Sequence, residues 1–223
     1  MKGIYLKDLL QIRASWIVLA IVSISVTGIL IWYDGEMGLT DFFMIFLAMQ
    51  GSATIFADKM CGWYRMSTTF PITRKRLVES KYRLAVVLAA IGFVIGLALM
   101  AIVILIRTGS VSVDGEQFLI NLYIGVIIVF STMAILIPLA YLMRKNQEFI
   151  AVFASMIPAA LMIFAWTQRI THSVVWDPST GAAVSEQIDM QLGFLSGMAV
   201  FSVLLFVLSY FIMPKFIARQ DQR

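Results

Sequence analysis

The stretch Tyr82-Arg-Leu-Ala-Val-Val-Leu-Ala-Ala-Ile-Gly-Phe-Val-Ile-Gly-Leu-Ala-Leu-Met-Ala-Ile-Val-Ile-Leu-Ile106 carries no charge beyond Arg83. A helix rises about 1.5 Å per residue, and the hydrocarbon core of a bilayer is about 30 Å thick. A run this long and this apolar therefore reads as a membrane span. Comparable runs lie on either side. Ser15 to Tyr33 and Leu39 to Ala57 come before it. Phe118 to Leu142, Phe149 to Trp166 and Leu192 to Met213 follow. The fold class expected is an all-α membrane protein with six transmembrane helices.

Composition agrees. Of 223 residues, 61% are apolar and 13% are charged, and the mean hydropathy is +0.90. Soluble domains carry about 25% charged residues. The net charge of +4 sits almost wholly between the apolar runs, so it bears on topology rather than on nucleic acid, and no nucleic-acid partner is expected. Cys61 is the single cysteine and His172 the single histidine, which leaves no internal disulfide and no metal site.

Orientation follows from the basic residues. With the amino terminus inside, the inner pieces are 1–14, 58–81, 143–148 and 214–223, with Arg83 just within the third span. All of the 17 Lys and Arg residues except Arg107 and Arg169 then fall inside. The positive-inside bias thus predicts both termini in the cytoplasm of a bacterial cell, with the protein multi-pass in its membrane. Removing the second span, the least apolar of the set, would put the basic clusters around Lys7 and Arg74 on opposite sides. Trp16, Trp32, Tyr33, Tyr82, Tyr141 and Trp166 lie near span ends, where aromatic rings suit the headgroup zone.

The whole of 1–223 reads as one transmembrane domain. It comprises a surface helix (1–14), spans one and two (15–57), a coupling loop (58–81), and spans three and four (82–142). Span five (149–166), an external loop (167–191), span six (192–213) and a tail (214–223) complete it. In the first piece Tyr5, Leu9, Ile12 and Trp16 recur at helical spacing opposite Lys7 and Gln11. That pattern predicts an amphipathic helix on the membrane surface, the alternative being an extension of the first span.

Catalytic signatures are missing. There is no GxxxxGK[ST] loop and no HExxH. No catalytic residue, cofactor or enzyme activity is expected of this chain. No span carries an acid at mid-depth. Asp41 and Glu148, at span ends, read as solvated interfacial acids rather than ion-coupling groups. Gln50 and Thr54, one helical turn apart, are candidates to line a pathway, or else to pack on a neighbouring helix. Gly92-Phe-Val-Ile-Gly96 and Gly193-Phe-Leu-Ser-Gly197 are close-packing motifs, within the subunit or between copies.

The coupling loop is the informative segment. It reads Asp58-Lys-Met-Cys-Gly-Trp-Tyr-Arg-Met-Ser-Thr-Thr-Phe-Pro71, then Ile-Thr-Arg-Lys-Arg-Leu-Val-Glu-Ser-Lys-Tyr82. Trp63, Tyr64, Met66 and Phe70 together lie in the headgroups or fill a partner's pocket. Gly62 lets the chain turn, and Pro71 stops the short helix before it. Thr73 is placed to cap the next helix. Arg74, Lys75, Arg76 and Lys81 form a basic cluster expected at anionic headgroups.

This segment resembles that of permease subunits of ABC-2-type exporters, in particular the small six-span permeases of Gram-positive peptide exporters of the phenol-soluble modulin type. The opening Met1-Lys-Gly-Ile-Tyr-Leu-Lys-Asp-Leu-Leu10 is similar to that group's K-G-L-x-x-K-D-L start. Asp58 to Tyr82 is similar to its D-x-x-x-G-W-x-R … T-x-P-x-x-R-x-x-x-V-x-S-K-Y pattern. The resemblance implies a coupling helix carrying Gly62, Trp63, Tyr64, Arg65 and Met66 and ended by Pro71, docked on a separate ABC ATPase. That coupling helix spans the residues around Gly62 to Thr69. The resemblance also implies ATP and Mg on that partner and two permease copies per transporter, identical or homologous. The function expected is the membrane-spanning permease of an ATP-driven ABC exporter for an amphipathic or hydrophobic substrate such as a peptide. The alternatives are an immunity or signalling protein acting through a partner, and a secondary carrier.

Overall fold

The computed structural model describes residues 2–14, 16–32, 38–63, 73–108, 115–143, 147–173 and 183–220. The regular elements among them are all helical: α1 (Lys2–Ala14), α2 (Trp16–Trp32), α3 (Gly38–Met60), α4 (Arg74–Thr108), α5 (Gly115–Leu142), α6 (Glu148–Ser173) and α7 (Ala183–Gln220). Helices α3 to α7 are each long and apolar enough to cross a membrane, and α2 contains a shorter apolar helix, Ala20–Ile29. Two helices reach into the segment 167–191 expected as a loop. α6 continues to Ser173, and α7 begins at Ala183. Residues 174–182 lie outside the described residues.

α3 is the centre of the packing, held between α4 and α5. It runs antiparallel to α4 at close range because small residues line the seam. A Cβ on Gly51 would sit 3.1 Å from the Ala85 Cα, and one on Gly96 would sit 2.6 Å from the Thr40 Cα; one on Gly92 would strike the Phe43 backbone. Lipid tails are as apolar as leucine, so helices in a bilayer associate through such close contact rather than by excluding water. The Gly92/Gly96 motif is thus spent inside the subunit. The matching Gly193/Gly197 motif on α7 has open space around it.

One apolar core joins the five long helices. Ala48 and Ile55 of α3 meet Val78, Tyr82 and Ala85 of α4, Met133 and Ile137 of α5, Ala151 of α6, and Phe206 and Met213 of α7. A buried hydroxyl chain crosses it. Ser209 donates to the Ala134 carbonyl at 2.8 Å, so the 2.6 Å contact with Tyr82 must use the tyrosine proton. Outward, Val94 and Ile102 of α4, Phe153 and Leu161 of α6, and Val200 and Leu208 of α7 are exposed. An apolar surface of that extent belongs in lipid.

One end of the bundle collects α1, the close of α3, the start of α4 and the close of α5 and α7. Lys59, the penultimate residue of α3, donates to the carbonyls of Tyr141 (3.1 Å) and Met143 (2.7 Å), satisfying acceptors left over where α5 ends. α1 lies across this end. Ile12 packs on Leu84 and Leu88. Leu6, Leu9 and Leu10 face outward. Leu9 and Ile12, expected on one stripe, therefore serve different surfaces, because a second face of α1 is held down through Asp8.

Candidate functional site

Four charged side chains close a ring where α1, α3 and α4 meet. Lys81 of α4 is only 1% exposed, Asp8 of α1 is fully buried (0%), and Asp58 of α3 is 4% exposed. The Lys81 Nζ reaches Asp8 Oδ1 at 2.8 Å and Asp58 Oδ2 at 2.9 Å. It also donates to the Thr54 hydroxyl at 3.0 Å, which in turn donates to the Gly51 carbonyl at 2.7 Å. An ammonium group has three protons, and here each has an acceptor. Lys7, on α1, pairs with Asp58 and lies 3.3 Å from Asp8 Oδ1. The order round the ring is Asp8, Lys81, Asp58, Lys7, so charges alternate and sum to zero. Buried ions are tolerated only in such mutual pairing, since each taken alone is costly to remove from water.

The ring adjoins the start of the segment expected to dock on an ATPase. Asp58 is four residues before Gly62, which has φ 69°, in the left-handed region where glycine is at ease. The chain turns there and places Trp63 against α1, with the Lys7 Nζ 4.7 Å from the centre of the indole ring. That is cation–π range.

The expected site residues fare differently. Gly62 and Trp63 are half-buried beside the ring. Tyr64, Arg65, Met66 and Pro71 lie outside the described residues. Thr73 precedes α4, and its carbonyl accepts the Leu77 amide at 3.2 Å. Arg74 opens α4. Lys75 is exposed and pairs with Glu79 at 3.8 Å one turn on, and Arg76 is exposed. Lys81 differs from its expected place at the headgroups. It turns inward because it shares the face of α4 that carries Ala85, Gly92 and Gly96 towards α3. Thr54 faces Lys81 rather than a pathway, and Gln50 is half-buried. Asp41, expected in solvent, has a buried Oδ1 with no hydrogen-bond donor among the described residues, 2.5 Å from where a Cβ on Gly125 would lie.

Sequence reasoning did not foresee Lys7, Asp8 and Asp58 as one unit. The signal available was register. Val78, Lys81, Ala85, Leu88, Gly92 and Gly96 follow each other at three- and four-residue steps. A lysine within such a stripe faces the neighbouring helix, and the acids at the close of α3 and within α1 are its counter-ions.

The chain is thus a multi-pass membrane protein clamped at one end by a neutral, largely buried charge ring. The family model described as ABC-2 family transporter protein matches residues 3–217, and the chain belongs to that family. Comparisons with curated proteins and with solved structures gave no match. As an ABC-2 family membrane component the chain is a transport protein, and permeases of this class work with an ABC ATPase.

Proposed function

We propose that this chain is the membrane-spanning permease of an ATP-driven exporter, energised by a separate ABC ATPase that holds the ATP and Mg. The family match over residues 3–217 is the observation that carries this reading. The arrangement of Gly62 and Trp63 adds to it, because a turn of positive φ starts the coupling segment directly on the ring that joins α1, α3 and α4. Two permease copies and two ATPase subunits make up the transporter. An exporter should have a P-loop ATPase encoded beside its permease, and native mass spectrometry of the two co-expressed should find two of each. A permease that never retains an ATPase would sink the exporter reading and favour a carrier or an immunity protein.

In this reading α2 to α7 are six spans, both termini are cytoplasmic, and α1 rests on the inner membrane surface with Leu6, Leu9 and Leu10 towards lipid. The gathering of α1, the α3–α4 junction and the ends of α5 and α7 at one end supports this, since those segments carry nearly all the basic residues. A cysteine at Ser179, in a Cys61→Ala background, should react with an impermeant thiol reagent in intact cells, and one at Asn146 should not. Reversed labelling would overturn the topology. The substrate proposed is an amphipathic peptide or other apolar molecule, as in exporters of the phenol-soluble modulin type. An open groove of about 420 Å³ on the outer face between α4 and α7, lined by Tyr82, Arg83, Val86, Val87, Phe206 and Tyr210, sets mainly apolar walls beside Arg83 and two tyrosines, in keeping with an amphipathic cargo.

A further inference from the structure

The four members of the charge ring are not equally placed. Lys81, Asp8 and Asp58 are sealed, whereas Lys7 is 26% exposed. Lys7 also meets the indole face of Trp63, just past the Gly62 turn. The covalent link between Trp63 and α3 passes through Gly62. The Gly62 amide holds the close of α3 only through a long hydrogen bond, 3.4 Å to the Lys59 carbonyl, so the backbone path is a weak one. A displacement of Trp63 would therefore reach α3 weakly along the chain. Through Lys7 it reaches α1 and, by way of Asp58 and Asp8, the base of α3 and the Lys81-bearing start of α4 together.

We propose that Lys7 is a positioning residue for energy coupling: it ties Trp63, just past the Gly62 turn, to the charge ring, so that a displacement of Trp63 turns α1, α3 and α4 as one body. The inference rests on the exporter reading for its purpose, but the tie itself is a property of the permease alone. A cation–π contact at a partly exposed site is modest, whereas the Lys81 pairs are buried and costly to break. Lys7 needs its charge and its reach. Arginine keeps both and stacks on indole, whereas methionine keeps the length and loses the charge.

Cys61 provides the readout. It is exposed, is the chain's only cysteine, and lies two residues before Trp63. A nitroxide attached there, on full-length permease in nanodiscs, reports the mobility of the turn without any other substitution. In Lys7→Met the ratio of mobile to immobile label should rise about threefold to fivefold, the weight of one such contact. Lys7→Arg should restore it. With the ATPase present, Lys7→Met should still retain the partner, while permease-stimulated ATP hydrolysis falls about fivefold, and Lys7→Arg should recover most of it. An unchanged label spectrum in Lys7→Met would overturn the tie, whatever the ATPase does. An altered spectrum with unaltered stimulated hydrolysis would overturn its role in coupling. If the wild-type permease binds no ATPase, the exporter reading fails, and the label spectrum still decides whether Lys7 holds the turn.

Discussion

Lys81→Met should destabilise the folded permease by about 3 kcal/mol or more, as breaking a buried ion pair from one side does. Methionine fits the space, so the effect is electrical. Asp8 and Asp58 would be left as two sealed carboxylates with Lys7 as their one remaining cation in the ring. Asp8 is already short of donors, for its Oδ2 has none among the described residues. The Thr54 hydroxyl would lose the hydrogen bond it accepts from Lys81. Thermal unfolding in detergent, followed by size-exclusion profile, is the measurement. An apparent melting point lower by on the order of 10 °C is expected. Replacing both acids as well, in Asp8→Asn/Asp58→Asn/Lys81→Met, should regain much of the loss, because no uncompensated charge stays buried. Lys7→Met should be milder, since Lys7 has access to water and Asp58 keeps Lys81. A Lys81→Met protein that melts with the wild type would mean that the ring is solvated and holds nothing together.

The parts of this protein that the sequence reveals and those it hides differ for a physical reason. A span is a local property. Leu84 to Ile106 must lie in hydrocarbon wherever the rest of the chain goes, and α4 does contain that run. The charge ring is a property of three segments at once. Taken alone, Lys81 at the end of a span is indistinguishable from a lysine that anchors at headgroups, and only the approach of α1 and α3 decides between the two. The two glycine motifs make the same point. Gly92/Gly96 and Gly193/Gly197 have the same spacing, yet the first is closed by Phe43 and Thr40 and the second faces open space. Helix length is a third case. α4 starts at Arg74, well before the apolar run, since residues such as Arg, Lys, Leu and Glu favour helix without favouring lipid. Trp63, proposed here for coupling, stands out in the sequence because an aromatic side chain is out of place in a loop exposed to water alone. Its contact with Lys7 does not, because it depends on where α1 folds back.

Trp63→Ala should cut the affinity of the permease for its ATPase roughly thirtyfold, which corresponds to about 2 kcal/mol. Aromatic anchors of this kind dominate small interfaces, and Trp63 opens the segment proposed to dock. The fold should be little affected. Trp63 lies at the margin of the bundle, half-buried, and its contact with Lys7 is one of several that Lys7 makes. Insertion and thermal stability close to wild type are therefore expected alongside the loss of binding. Co-purification at graded ATPase concentrations measures the first effect, and the melting profile in detergent checks the second. The contrast with Lys81→Met is the useful feature of the pair. One variant weakens the permease and the other leaves it sound but poorly joined to its partner. Were Trp63→Ala to bind the ATPase like wild type, the segment from Gly62 to Pro71 would be an interfacial turn of the membrane surface. The role of ATPase contact would then have to fall on other surfaces at the same end of the bundle, such as exposed Lys75 and Arg76 at the start of α4.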